Sequence, residues 1–259
     1  MGLPELLILV VGLGVAGLAK GVSGMGLPLI ATPILAGVFG PRAAVTIVTI
    51  PIFASNSLLL IQGIRRRGLL RGILPLFIAS AVGTAIGTLL LANLDQRTFA
   101  ILITLMVITF LAGGDRFGGR GPRSASGASV GDDRAALRAR VLGPVVCFVG
   151  GVLQGTTSIA SPLVGSYFHA QRLAAADFVF VLAAIFELNA VVQLIGYGLQ
   201  GLYTPDVLAI GLLGLVPTLL ALAGGIALRG RLDPGRFRQL IVALLVLSVA
   251  NLLWRTFLA

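Results

Sequence analysis

Apolar positions in this chain fall in long unbroken runs, not in the alternating or heptad-like rhythm of a half-buried strand or surface helix. A helix needs about 20 apolar residues to cross the hydrocarbon of a bilayer. Four stretches meet that length, 43–64, 72–93, 174–198 and 205–228, and two more, 98–113 and 239–256, are shorter but adequate. Polar positions gather between them. The segment GGDRFGGRGPRSASGASVGDDRAALRAR is rich in Gly, Ser and Arg and too polar to span, so 114–140 reads as an exposed linker between two halves. Two further apolar stretches, 3–39 and 141–171, are interrupted midway, by KGVSGMGLPL at 20–29 and QGTTSIASPL at 154–163.

The halves resemble each other. GLAKGVSGMGLPL (17–29) aligns without gaps on GVLQGTTSIASPL (151–163), IFASN (52–56) on IFELN (185–189), and LDQRTF (94–99) on LDPGRF (232–237), in one order at offsets of 134, 133 and 138. This pattern is an internal duplication. Equivalent loops swap charge between the copies. RRRGLLR (65–71) carries four arginines and its counterpart LQGLYTP (199–205) none, whereas ANLDQR is formally neutral and RGRLDPGRFR (229–238) carries four arginines and one aspartate. Under the positive-inside rule such loops lie on opposite faces, so the repeats are expected to be inverted. The same rule puts the linker, with its six arginines, in the cytoplasm and both termini outside. Each interrupted stretch then enters and leaves from one face. The stretch 27–38, roughly 18 Å as a helix, is too short to cross. The expected fold is an all-α polytopic membrane protein of two inverted repeats, 1–113 and 141–259. Each is a re-entrant or broken helical hairpin followed by three transmembrane helices; two short tilted spans per hairpin are the alternative.

Composition agrees with a membrane chain. Of 259 residues, 57% are hydrophobic and 11% charged, with a mean hydropathy of +1.05, too little polar surface for a soluble domain of this length. A net charge of +10 would suggest nucleic acid in a soluble protein, but the arginines sit in short loops where topology explains them. The one cysteine, Cys147, excludes a disulfide framework or a paired-cysteine metal site. The N-terminal stretch has no basic n-region, carries Glu5 and runs into a glycine motif, so it reads as a poor signal peptide.

The interruptions carry the candidate chemistry. Non-helical backbone at membrane depth is tolerated only where protein or a wet cavity surrounds it. In SGMGLPL, Ser23, Gly24, Met25 and Gly26 let the chain turn and bring backbone N–H groups to a ligand. In TTSIASPL, Ser161 is placed as an N-cap and Pro162 at the first helical position. Two half-helix N-termini, with hydroxyls from Ser23, Thr156, Thr157, Ser158 and Ser161, would form an anion site of the kind inverted-repeat transporters build from broken helices. Lys20, whose counterpart is Gln154, either holds an anionic headgroup, snorkels, or neutralises Glu187. Glu187 is either a proton-coupling carboxylate or the partner of Lys20. Asn56 and Asn189, matched between the repeats, line the site or hydrogen-bond between helices. Gly83, Gly87, Gly224 and Gly225 are read as helix-packing positions, Tyr197, Tyr203 and Trp254 as an interfacial belt, and His169 as a bystander.

The paired GLAKGVSGMGLPL and GVLQGTTSIASPL motifs, the following PRAAVTIVTIPIFASNS and the basic linker resemble the TauE/SafE sulfite exporter family. The likeness covers nearly the whole chain outside the linker and termini, with SGMG replacing a denser glycine run. It implies a bacterial or archaeal inner-membrane permease for sulfite or organosulfonate anions. No resident cofactor or metal is expected; the expected partners are the lipid bilayer, a small sulfur-containing anion, and protons or sodium as coupling ions. A passive anion channel would share these features. A membrane-embedded enzyme would need convergent acid, base or metal-ligand side chains, and only Glu187, Lys20 and Cys147 lie at depth, without the spacing of a nucleophile–base pair.

Overall fold

A computed structural model of the chain describes residues 1–112, 133–171, 173–229, 231 and 234–257. Among these, all regular structure is helical: α1 (Leu3–Ser23), α2 (Leu27–Phe39), α3 (Pro41–Gln62), a 3-10 stretch (Ile64–Ile73), α4 (Leu74–Asn93), α5 (Gln96–Ala112), α6 (Asp133–Thr157), α7 (Ser161–Ala170), α8 (Ala175–Leu199), α9 (Pro205–Leu213), α10 (Leu215–Ala227) and α11 (Pro234–Phe257). Six helical stretches are long and apolar enough to cross a membrane, among them α1, α3, α8 and the α9–α10 pair. The chain is an all-α polytopic membrane protein. At 13 and 10 residues, α2 and α7 are about 20 and 15 Å long and cannot cross. Many large apolar side chains remain exposed, among them Leu89, Leu199 and Leu220, which suits contact with lipid.

Three boundaries differ from the hydropathy reading. Helix α6 begins at Asp133, inside the stretch read as linker, whose residues 114–132 lie outside those described. The run 205–228 is broken at Gly214, because Pro217 has no N–H to give the turn before it and its ring crowds the carbonyl of Leu213. The arginine loop 65–71 is a 3-10 stretch, tied to the first turn of α8 by Arg66 and Asp177 at 2.9 Å. That pair is about one-third exposed on each side, so it guides the loop and adds at most about 1 kcal/mol.

The two halves pack reciprocally. α1 lies along α10, and its counterpart α6 lies along α4, the counterpart of the α9–α10 pair. α2 packs on α3 and α11, and the equivalent helices α3 and α8 pack on each other. The α3–α8 contact is antiparallel, since Ser57 meets Glu187 while Gly63 meets Phe180. Small residues set the close approaches. A Cβ on Gly21 would stand 2.7 Å from Gly225 Cα, and one on Gly155 would stand 2.8 Å from Gly87 Cα. Gly17 and Gly151 abut the backbones of Thr218 and Ser80 in the same way. Gly224 does not belong to this set: a Cβ there meets nothing within 4 Å. Its neighbour Gly225 faces the seam one residue on, and consecutive helix positions point about 100° apart, so sequence adjacency misplaced it. Tyr197 is also no belt residue, being fully buried, whereas Trp254 at 62% exposure fits the interface.

Overpacking a close-packed core costs about 1–3 kcal/mol. Gly21→Val and Gly155→Val are therefore expected to lower the thermal unfolding midpoint in detergent by several degrees, and Gly224→Val to leave it unchanged. Unchanged midpoints for the first two would contradict the close-contact geometry.

Candidate anion site

Both interruptions begin with a left-handed residue closed by the same backbone hydrogen bond, and diverge two residues on, where Gly26 has φ 97° and its counterpart Ala160 φ −120°. Helix α1 ends with Gly24 in the left-handed region at φ 81°, its N–H donating to the Lys20 carbonyl at 2.7 Å. Helix α6 ends with Ser158 at φ 61°, its N–H donating to the Gln154 carbonyl at 2.8 Å. The preceding hydroxyls match too: Ser23 Oγ donates to Ala19 O and Thr157 Oγ1 to Leu153 O, and they accept from Met25 N–H at 3.4 Å and Ile159 N–H at 3.2 Å. The two turns differ where the backbone demands glycine. Gly24 and Gly26 supply positive φ freely, whereas a serine held there costs about 1–2 kcal/mol.

After each turn a short helix begins, α2 at Leu27 and α7 at Ser161, with Pro28 and Pro162 at their second positions. Ser161 is thus not the N-cap expected of it; Ala160 holds that place and Ser161 stands one residue inside the helix. The consequence is chemical, because a serine that does not cap leaves its hydroxyl unspent. Ser161 Oγ is buried and without a partner.

Between the two helix starts lies a cavity of about 10 Å³, room for roughly one water. Lys20, Asn56, Gln154 and Ser161 give its polar lining, Met25 and Gly26 come from the first turn, and Ile52 and Phe186 close it with apolar surface. Lys20 is 2% exposed, and its ammonium donates to Ser55 Oγ at 2.8 Å and to Asn56 Oδ1. With Oδ1 engaged, the Asn56 amide points Nδ2, buried and unpartnered. Lys20 makes no ion pair with Glu187, which instead accepts from Ser57 Oγ at 2.5 Å and keeps its other oxygen buried without a partner. The site therefore offers a cation and two idle donors, and no carboxylate lines the cavity. A buried ammonium with neutral partners is under-compensated, which makes the site receptive to an anion.

Other expected site residues stand elsewhere. Ser23 is exposed, with its hydroxyl engaged in the turn, and Gly24 packs against Val179. Thr157 and Ser158 are fully buried but line no part of the cavity; Thr157 bonds backbone and Ser158 accepts from Gln193. Thr156 likewise returns its hydroxyl to Val152 O. Asn189 bonds Ser80 on α4, at 2.9 and 3.0 Å, so of the matched asparagines only Asn56 serves the cavity. Ser55 and Gln193 were not singled out from sequence, since each lies where the copies differ, opposite Leu188 and Leu60. A larger cleft of about 410 Å³ opens at the far end of α2, beside Asp95, Arg97 and Arg255, and none of the expected site residues reaches it.

A multi-pass helical protein in which two broken helices meet around a buried lysine and unpaired donors has the architecture of the broken-helix class of membrane transporters. The family model described as Sulfite exporter TauE/SafE matches residues 8–252, and the chain belongs to that family. Neither the curated proteins nor the solved structures include a match to it.

The two asparagines should separate in experiment. Leaving a buried group unpaired costs about 1–3 kcal/mol. Asn189→Ala is therefore expected to lower thermal stability with little change in the apparent anion affinity. Asn56→Ala is expected to weaken that affinity about tenfold or more, a loss on the order of 1.4 kcal/mol. Equal effects of the two substitutions on flux KM would refute the division.

Proposed function

We propose that the chain is a permease for a small sulfur-containing oxyanion, sulfite or an organosulfonate, bound between the starts of α2 and α7 beside Lys20. The observation that carries this reading is the buried Lys20 ammonium with the unpaired Asn56 Nδ2 and Ser161 Oγ around one cavity. Helix N-termini favour anions for the same reason, through their unsatisfied N–H groups and dipoles. The cavity is smaller than any such anion, so binding requires the site to open. Opening to each face in turn is alternating access; a channel would need a continuous path instead. A divalent anion leaving a negative-inside cell is driven outward by about 4–5 kcal/mol per 100 mV, so export needs no coupling ion. Uptake would need one, and the unpartnered Glu187 oxygen makes that carboxylate the candidate proton carrier.

The test is a proteoliposome flux panel of sulfite, sulfate, taurine, isethionate and sulfoacetate, with and without a pH gradient. Saturable, counter-flow-stimulated flux of a sulfur oxyanion is expected, abolished in Lys20→Ala while membrane insertion is kept. Wild-type affinity in that variant would remove Lys20 from the site. If Glu187 carries the proton, Glu187→Gln eliminates the response to the gradient; an unchanged response assigns it a structural role.

We further read the halves as inverted repeats, with the linker cytoplasmic and both termini outside. The opposed run of the equivalent helices α3 and α8 supports this, as does the exchange of arginines between equivalent loops. Cysteines introduced within 115–132 should be labelled by impermeant reagents only from the cytoplasmic side. Labelling from the opposite side would overturn the arrangement.

A further inference from the structure

The second turn holds a strained residue, and a side chain outside the anion cavity grips it. Ser158 is the one non-glycine residue with positive φ among those described. Gln193, fully buried on α8, reaches it directly: Nε2 lies 3.0 Å from Ser158 Oγ, 2.8 Å from the Gln154 carbonyl and 2.9 Å from Tyr197 Oη. The amide orientation follows from the partners. Gln154 O only accepts, and the Tyr197 hydroxyl gives its hydrogen to the Gly155 carbonyl at 2.7 Å, so the nitrogen must face them. The remaining Gln193 oxygen lies 3.5 Å from Gln154 Nε2, the side chain that lines the cavity. One glutamine thus holds the last turn of α6, the left-handed residue after it and a wall of the site.

The first half has no such device. The register of the matched IFASN and IFELN segments puts Leu60 where Gln193 stands and Ile64 where Tyr197 stands. There the left-handed residue is Gly24, which needs no grip. The Gly21 carbonyl, equivalent to that of Gly155, is satisfied by Arg229, in the turn after α10, at 2.8 Å. Only the turn that carries a serine in a glycine conformation has a side chain clamped onto that serine.

We propose that Gln193 is a positioning residue for anion binding: it holds Ser158 in its left-handed turn and so sets where Ala160, Ser161 and the start of α7 stand at the cavity. This rests on the anion-site reading above. Two readouts separate the two claims. One is the anion KM in the flux assay; the other, independent of transport, is the labelling rate of Ala160→Cys by a small maleimide in a Cys147→Ala background, since Ala160 is 1% exposed. Gln193→Met keeps size and removes every hydrogen bond. It should raise KM and quicken labelling, each about tenfold or more, as loss of a buried amide's bonds predicts. Adding Ser158→Gly should bring both back to within about threefold, because glycine takes the conformation unaided. A double variant as impaired as the single one overturns the proposal, as does unchanged labelling in Gln193→Met. Gln193→Leu, with and without Ser158→Gly, repeats the comparison if the methionine variant misfolds, and failure of both to fold even with the glycine counts against it. If the parent carries none of the anions, the permease reading fails while the labelling arm still decides the role of Gln193.

Discussion

A helix interrupted inside a membrane protein leaves backbone groups that lipid cannot satisfy, and this constraint orders the rest of the molecule. Each broken segment has to be wrapped by protein on every side. The wrapping comes from α10 against α1 and from α4 against α6, and it is close because glycines remove the side chains that would hold the backbones apart. Gly17 and Gly21 on one side, Gly151 and Gly155 on the other, face equivalent partners in the opposite half. Each interruption is thus packed against a helix from the opposite half of the chain. Carbonyls at the breaks are met individually, Gly21 O by Arg229 and Gly155 O by Tyr197, while Gln193 adds a second bond to the Gln154 carbonyl.

Much of this was legible in the sequence. Membrane class and the two interrupted stretches follow from run length, because hydrocarbon thickness leaves little freedom. Which stretches are long spans follows less closely, since α1 is long and apolar enough to cross whereas the helix over the expected span 98–113 is among the shorter apolar ones. The duplication was visible in three short matches, and the matched positions Gly24 and Ser158 adopt one turn with one set of hydrogen bonds. What was illegible is how each side chain spends its hydrogen bonds. Ser161 precedes a proline at a helix start, the usual signature of a cap, yet Ala160 caps and the hydroxyl is left for the cavity. Asn56 and Asn189 match in sequence, but one meets Lys20 and the other Ser80, according to which helix lies opposite. Tyr197 sits near a span end like a belt residue and is buried because its hydroxyl has a carbonyl to serve.

The chemistry gathers where the repeats disagree. In the aligned sequences Lys20 corresponds to Gln154, Ser55 to Leu188, Ala54 to Glu187, Leu60 to Gln193 and Gly24 to Ser158. A symmetric pair of lysines at this cavity would set two ammonium groups against each other at low dielectric, a repulsion larger than a single anion would readily offset. One lysine and one glutamine keep two donors and halve the charge. The turns divide in the same way: the first carries glycine at its left-handed position, while the second carries a serine there, hydrogen-bonded to Gln193.

A lysine buried to 2% among neutral groups is costly in the absence of a counter-charge, on any scale of intramembrane charge, by several kcal/mol. The Glu187 carboxylate is turned to Ser57 and forms no ion pair with Lys20. A full Lys20–Glu187 pair would have neutralised the cavity and left nothing for a substrate to gain. Held apart from the carboxylate, the ammonium is left short of compensation, which in the proposed permease an arriving oxyanion would supply. The same shortage argues for the small closed cavity, since water admitted freely would solvate the lysine and remove the incentive to bind. In the proposed permease, selective affinity would thus depend on keeping Lys20 dry and only partly satisfied, with Asn56 and Ser161 holding donors in reserve.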